Sequence, residues 1–161
     1  MDDPDSLEQL YREAAPALLA YFRHRPALAG AAEDLLQDTF VRALKHRERL
    51  ETAVSRRAYL FGIARYVCLD ALRRVKPDGE AAELQSIPEV QPDERIESMR
   101  AAIAGLPPLH REALLLRLQQ DLSYEEIAEV LEVPVGTVRS RLHHAVLRLR
   151  NVLNPPITHE N

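Results

Sequence analysis

The 161-residue chain carries 21 Lys and Arg against 25 Asp and Glu, for a formal net charge of −4, and is 46% hydrophobic. That length allows one domain or two small ones, and the slight negative charge argues against a protein that coats nucleic acid unaided. The lone Cys68 excludes an internal disulfide and a cysteine metal cluster and fits a reducing cytoplasm; prolines in place of aromatics, and no strand-like alternation, predict an all-α chain.

The N-terminus, Met1-Asp-Asp-Pro-Asp5, is acidic rather than signal-like, and no apolar run approaches the ~18 residues that span a bilayer. A cytoplasmic protein without membrane insertion is expected. Residues 6–24 place Leu7, Leu10, Tyr11, Ala14, Leu18 and Phe22 on one helical face, with a bend or restart at Pro16. Pro26 and Gly30 close that element. A second helix is predicted from Ala31 to His46, burying Leu36, Phe40, Ala43 and Leu44 and turning Glu33, Asp34, Gln37, Asp38, Thr39 and Arg42 outward. Glu33, Asp34 and Asp38 have three readings: a hard-cation site, a solvated acidic first turn favoured by the helix dipole, or a protein-docking face. No Glu-x-x-His pattern supports the metal, and neither metal nor cofactor is expected.

Residues 47–54 make a polar connection with weak helical character. Ser55 then caps a helix to about Val75, with Tyr59, Leu60, Ile63, Ala64, Val67, Ala71 and Leu72 on its apolar side. Arg56, Arg57, Arg65, Arg73 and Arg74 against the single Asp70 form a one-signed strip, and Tyr59, Phe61 and Tyr66 add aromatic planes. Arginine forks and stacking rings suit single-stranded DNA, although a charge strip is ordinarily a solvated face. Cys68 is expected as a small buried apolar residue, since no second thiol is available to resolve an oxidised one. Residues 77–92, with three prolines and several acids, cannot build a core and mark a linker. Domains are therefore expected at 1–76 and 93–154, followed by a tail at 155–161.

The second domain is predicted to hold a short helix with Ile96, Met99 and Ile103, a stop at Gly105-Leu-Pro-Pro108, and a helix from Leu109 to Gln119. His110 and Arg111 on it are either solvated or close to a DNA backbone. Ser123 and Glu126 then have the spacing of a capping box, and Ile127, Ala128 and Leu131 form one buried face. Pro134 stops this helix near Glu132 and suits the start of the next. From Val135, a longer helix is marked by Val138, Leu142, Ala145, Val146, Leu149 and Val152. Its other face carries Arg139, Ser140, Arg141, His143, His144, Arg148 and Arg150 without an acid. Two helices on a short turn, the second basic and opening with Gly136 and Thr137, fit a helix-turn-helix that lets its backbone approach phosphate. An ordinary helical hairpin with a solvated basic face fits the same periodicity.

The wording goes further than periodicity. Leu122-Ser-Tyr-Glu-Glu-Ile-Ala-Glu followed by Pro134-Val-Gly-Thr-Val-Arg-Ser-Arg-Leu resembles region 4 of the bacterial sigma-70 family, in its extracytoplasmic-function class, and Ile103-Ala-Gly-Leu-Pro-Pro-Leu-His-Arg-Glu-Ala-Leu-Leu-Leu-Arg117 resembles the helix preceding it. Ala32-Glu-Asp-Leu-Leu-Gln-Asp-Thr-Phe-Val-Arg-Ala-Leu44 is similar to region 2.2, and Arg57-Ala-Tyr-Leu-Phe-Gly-Ile-Ala-Arg-Tyr-Val-Cys-Leu-Asp-Ala-Leu-Arg-Arg74 to regions 2.3 and 2.4. The resemblance implies a non-enzymatic sigma subunit of core RNA polymerase with two helical domains.

On that match, Glu33, Asp34, Gln37, Asp38 and Arg42 would dock on the clamp helices of the largest subunit, with Phe40 a core anchor. Arg56, Arg57, Tyr59, Arg65, Tyr66, Arg73 and Arg74 would open and read the −10 element. Gly136, Thr137, Arg139, Ser140, Arg141, His143 and His144 would read −35, with the flap of the second-largest subunit as a further partner. The linker would thread the polymerase channels, and an anti-sigma factor is implied. Departures from the class pattern are Tyr59 for Trp, Tyr66 for Asn, His143 and His144 for an aromatic and an arginine, and Glu132 for a turn glycine that takes a left-handed conformation. A stand-alone helix-turn-helix regulator and a sigma-like adaptor that ignores promoters are the competing functions. An enzyme lacks support: the chain has no glycine loop, nucleophile motif or metal spacing.

Overall fold

The computed structural model describes residues 4–75 and 93–155. These fall into two compact units, Met1–Ser86 and Ile87–Asn161. Among the described residues there is no strand, as expected of an all-α chain. The predicted linker, 77–92, and the tail beyond residue 155 lie outside the described residues.

Unit 1 comprises α1 (Pro4–Arg23), a 3₁₀ turn (Pro26–Ala31), α2 (Ala32–Lys45), α3 (Arg47–Thr52) and α4 (Arg56–Val75). Its core joins Ala14, Leu18, Tyr21 and Phe22 of α1 to Leu36, Phe40 and Ala43 of α2 and to Leu60, Phe61, Ala64, Val67 and Cys68 of α4. The expected restart at Pro16 does not occur: α1 is one helix, and Pro16 is exposed on its outer side, away from the buried residues that hold the two halves together. The 47–54 connection contains a full short helix anchored by buried Leu50. Ser55 caps α4, its Oγ accepting from the Ala58 N–H at 3.0 Å.

Several burial expectations are corrected. Thr39 is fully buried rather than outward, because its hydroxyl donates to the Leu35 carbonyl at 2.8 Å and so needs no water. Leu44 is exposed, lying about 90° beyond the centre of the buried stripe of α2 at 100° per residue. Phe61, expected as an aromatic plane for DNA, is buried and meets the Tyr21 ring edge-on, with centroids 5.7 Å apart.

Unit 2 comprises α5 (Glu94–Ala104), α6 (Pro108–Gln120), α7 (Tyr124–Leu131) and α8 (Val135–Leu153). Asp93 caps α5 by accepting from the Arg95 N–H, and Pro108 begins α6, where its missing donor costs nothing. Met99 is exposed rather than part of the core. Arg111, expected at the surface or near DNA, is buried and donates from Nη1 to the Ala104 carbonyl at 2.9 Å, which ties α6 to the end of α5. Desolvation by burial lowers its pKa.

The capping box forms as predicted. Ser123 Oγ accepts from the Glu126 N–H, and the Glu126 carboxylate accepts from the Ser123 N–H, both at 3.1 Å. At the other end of α7, Glu132 is left-handed at φ 55°, and the Val133 N–H reaches back to the Ala128 carbonyl at 3.1 Å. This is a Schellman closure in which a glycine would rest without strain. Glu132→Gly is therefore expected to raise the stability of unit 2 by about 0.5–1 kcal/mol, the left-handed penalty less the added backbone entropy of glycine, as a higher urea midpoint with unchanged slope would show.

Candidate nucleic-acid interface and docking faces

The helix-turn-helix is set by apolar packing. Ile127, Val130 and Leu131 of α7 and Val138, Leu142 and Ala145 of α8 are buried where the two helices pack together, and Pro134 caps α8 with extended backbone at φ −61°, ψ 149°. The tight turn at 132–134 thereby holds the start of α8 at the surface. There Gly136, Arg139, Ser140, His143 and His144 are exposed, and Thr137 and Arg141 half-buried. A Cβ built on Gly136 would meet nothing within 4 Å, so no neighbour inside the unit requires glycine there.

Among the described residues, Arg139, Arg141, Arg148 and Arg150 make no hydrogen bond or ion pair. Two other arginines of the unit are engaged: Arg111 by the Ala104 carbonyl, and Arg117 by the Leu122 carbonyl at 2.9 Å and by the Tyr124 ring. Val146 and Val152, predicted as core, are exposed. Val146 lies about 80° off the line of Val138, and Val152 lies about 40° off it on the other side, in the last turn of the helix.

In unit 1, the α4 residues do not form one cluster. At 100° per residue, Arg56, Tyr59, Tyr66, Arg73 and Arg74 fall within about 100° of arc, whereas Arg57 and Arg65 lie on other sides of the helix. Tyr59 is half-buried and Tyr66 exposed. Asp70 lies inside the same stripe, 3.8 Å from Arg73 and 3.3 Å from Arg42 of α2. Arg42, placed on the docking face by its register, is engaged within the unit: Asp38 holds its Nε at 3.0 Å, and this hydrogen bond, ahead of the Asp70 contact, raises its pKa above the ordinary arginine value.

Glu33, Asp34 and Gln37 are exposed on α2, with Asp38 half-buried against Arg42. Val41 and Leu44 are exposed beside them. The sequence reading missed these two; the available signal was Val41, three positions beyond Asp38 and four beyond Gln37, with Leu44 three beyond Val41 on the same arc. Among the described residues, no three His, Cys, Asp or Glu side chains are grouped to hold a metal ion, and no helix is long and apolar enough to cross a membrane.

Comparison with known proteins decides what this arrangement belongs to. The model for sigma-70 region 2 matches residues 10–77 and that for sigma-70 region 4 matches residues 96–149. RNA polymerase sigma factor YlaC of Bacillus subtilis is 34% identical over 161 residues, covering 93% of this chain and 93% of the relative. The chain belongs to the sigma-70 family. Within that family it falls in the extracytoplasmic-function class: the sigma factor EcfG of Rhodopseudomonas palustris is 32% identical over 92% of this chain and 86% of its own length.

Among solved structures, the sigma factor RpoE of Bartonella quintana, in complex with the anti-sigma factor NepR, is similar with a TM-score of 0.67 at 26% identity, over 94% of this chain and 99% of that one. CnrH, solved with the cytosolic domain of CnrY, shares the fold at 24% identity and a TM-score of 0.61, over 94% of this chain and 89% of that one. Unit 1 therefore contains the region 2 segment and unit 2 the region 4 segment of a sigma factor, and these two regions support promoter-specific transcription initiation.

Proposed function

We propose that this sigma factor grips its promoter at two points, with unit 2 reading the −35 element and unit 1 contacting and helping to melt the −10 region while docked on core RNA polymerase. The observation that carries the reading is the set of α8 arginines without a hydrogen bond or ion pair among the described residues, presented by a helix-turn-helix whose second helix opens with exposed Gly136 and half-buried Thr137. The N-terminal half of such a helix enters a major groove, where an arginine fork distinguishes guanine. Arg139 and Ser140 are the base-facing pair, and Gly136 and Thr137 admit a phosphate to the backbone. Arg141, His143 and His144 flank them.

On α4, Arg56, Arg73 and Arg74 serve the strand backbone, while Tyr66, with Tyr59 beside it, offers a ring on which an unpaired base stacks. Arg57 and Arg65 lie off this stripe and act from its margins. The polymerase-binding face is Glu33, Asp34 and Gln37 with Val41 and Leu44. An acidic rim around an exposed apolar pair suits a protein partner better than a solvated helix face. Asp38 and Arg42 brace α2 against α4 and so fix the docking face relative to the DNA face of the same unit.

The subunit works in the cytoplasm, performs no bond chemistry and needs no cofactor. An anti-sigma factor is a further partner, by analogy with the RpoE structure solved with the anti-sigma factor NepR. Mixing the full chain with sigma-free core polymerase and a library of promoter fragments tests this reading: a stable complex that initiates transcripts from a defined subset of fragments is expected. Failure to bind core would refute the sigma function, and a complex that never initiates would favour the adaptor.

A further inference from the structure

His110 of α6 meets the face of α8. It stacks on His144, with ring centroids 6.0 Å apart and planes 24° from parallel, and His143 meets His144 edge-on at 5.7 Å. Arg141 and Arg148 lie three positions before and four after His144, on the same side of α8. Neither arginine has a carboxylate partner among the described residues. α6 carries Glu112, and α7 carries Glu125, Glu126, Glu129 and Glu132, yet the charged groups acting on His110 are His144, Arg141 and Arg148, all from α8. Two imidazoles thus stack from two helices, and two guanidiniums on the same side of α8 act on His110.

We infer that His110, His144, Arg141 and Arg148 form a binding site for a DNA backbone phosphate that fastens α6 and α8 to the duplex together and takes up protons as it fills. The inference rests on the sigma reading above. A phosphate fits because it is a single anion with several acceptor oxygens, able to accept from an imidazolium and a guanidinium at once. A base edge fits less well, since these residues follow the N-terminal turn of α8 that enters the groove.

The sign of the linkage follows from the charges. In the free protein, burial first, and then His144 and the two arginines, push the His110 pKa below the ordinary histidine value, so His110 is neutral near pH 7. A phosphate in the site reverses the balance and raises the pKa of His110. The bound state then holds more protons than the free state, and affinity grows as pH falls through the histidine range.

The test is promoter affinity of the holoenzyme, assembled from core polymerase and the full chain, measured by fluorescence anisotropy on a −35/−10 fragment between about pH 8 and about pH 6. Wild type is compared with the double variant His110→Gln, His144→Gln, in which glutamine keeps a donor but cannot titrate. Wild-type affinity should gain on the order of tenfold more than the variant over that range. At the acid end its salt slope should be steeper by about one. Parallel pH profiles, with promoter-specific binding intact in both proteins, would overturn the inference alone. A wild-type holoenzyme indifferent to promoter sequence at every pH would remove the sigma reading and this site with it.

Discussion

Replacing Phe61 with alanine is expected to destabilise unit 1 by about 3–5 kcal/mol. The ring is fully buried in the second turn of α4 and meets Tyr21 of α1 edge-on, and Tyr21 in turn meets Phe22 at 5.6 Å. Truncation removes the aromatic pair and leaves a cavity where α1 and α4 are joined. Because domains of this size are stable by only about 5–15 kcal/mol, the loss approaches the whole of the smaller figure. Urea denaturation of the full chain, followed by a probe in unit 1, should show a much lower midpoint. Tyr66→Ala on the same helix removes an exposed ring and should stay within about 0.5 kcal/mol of wild type, while reducing promoter melting. Equal stability of the Phe61 variant and wild type would mean that the ring is available for DNA after all.

Arg139→Ala is the mirror case, with a small effect on folding and a large one on function. Arg139 is exposed and has no hydrogen bond or ion pair among the described residues, so the variant should fold within about 0.5 kcal/mol of wild type. Its −35-dependent initiation should fall by about 1–3 kcal/mol, the worth of one bidentate base contact. The loss should be confined to the base pair that the side chain reads and should vanish on a promoter with a scrambled −35 element. A uniform loss across all promoters would reassign Arg139 to a phosphate.

The helix-turn-helix was legible in the sequence because its determinants are local. Ser123 and Glu126 close a box over four residues, Pro134 can only stop one helix and open the next, and the left-handed turn at Glu132 follows from a side chain standing where the class carries glycine. Burial on α4 was less legible. Apolar residues surround much of that helix, so the choice of Phe61 over Tyr66 as the buried ring was made by α1, which contributes Tyr21 from 40 residues upstream. Thr39 and Arg111 show the same limit: each is buried because a backbone carbonyl accepts its proton, and a hydropathy pattern carries no record of that carbonyl. The proposed docking face was half visible. The carboxylates of α2 announced themselves, but Leu44 was expected inside, and Arg42 and Asp38 turned out to hold α2 to Asp70 of α4.

The two-point grip is tested most directly by site-specific photo-cross-linking in the assembled holoenzyme, with a photoreactive phenylalanine analogue at position 66 in one protein and at position 140 in another. On an end-labelled promoter, position 140 should mark the −35 element and position 66 the −10 region, each on its own. Cross-links from both positions to one element, or to no defined element while transcripts still initiate, would contradict the assignment of the two helices.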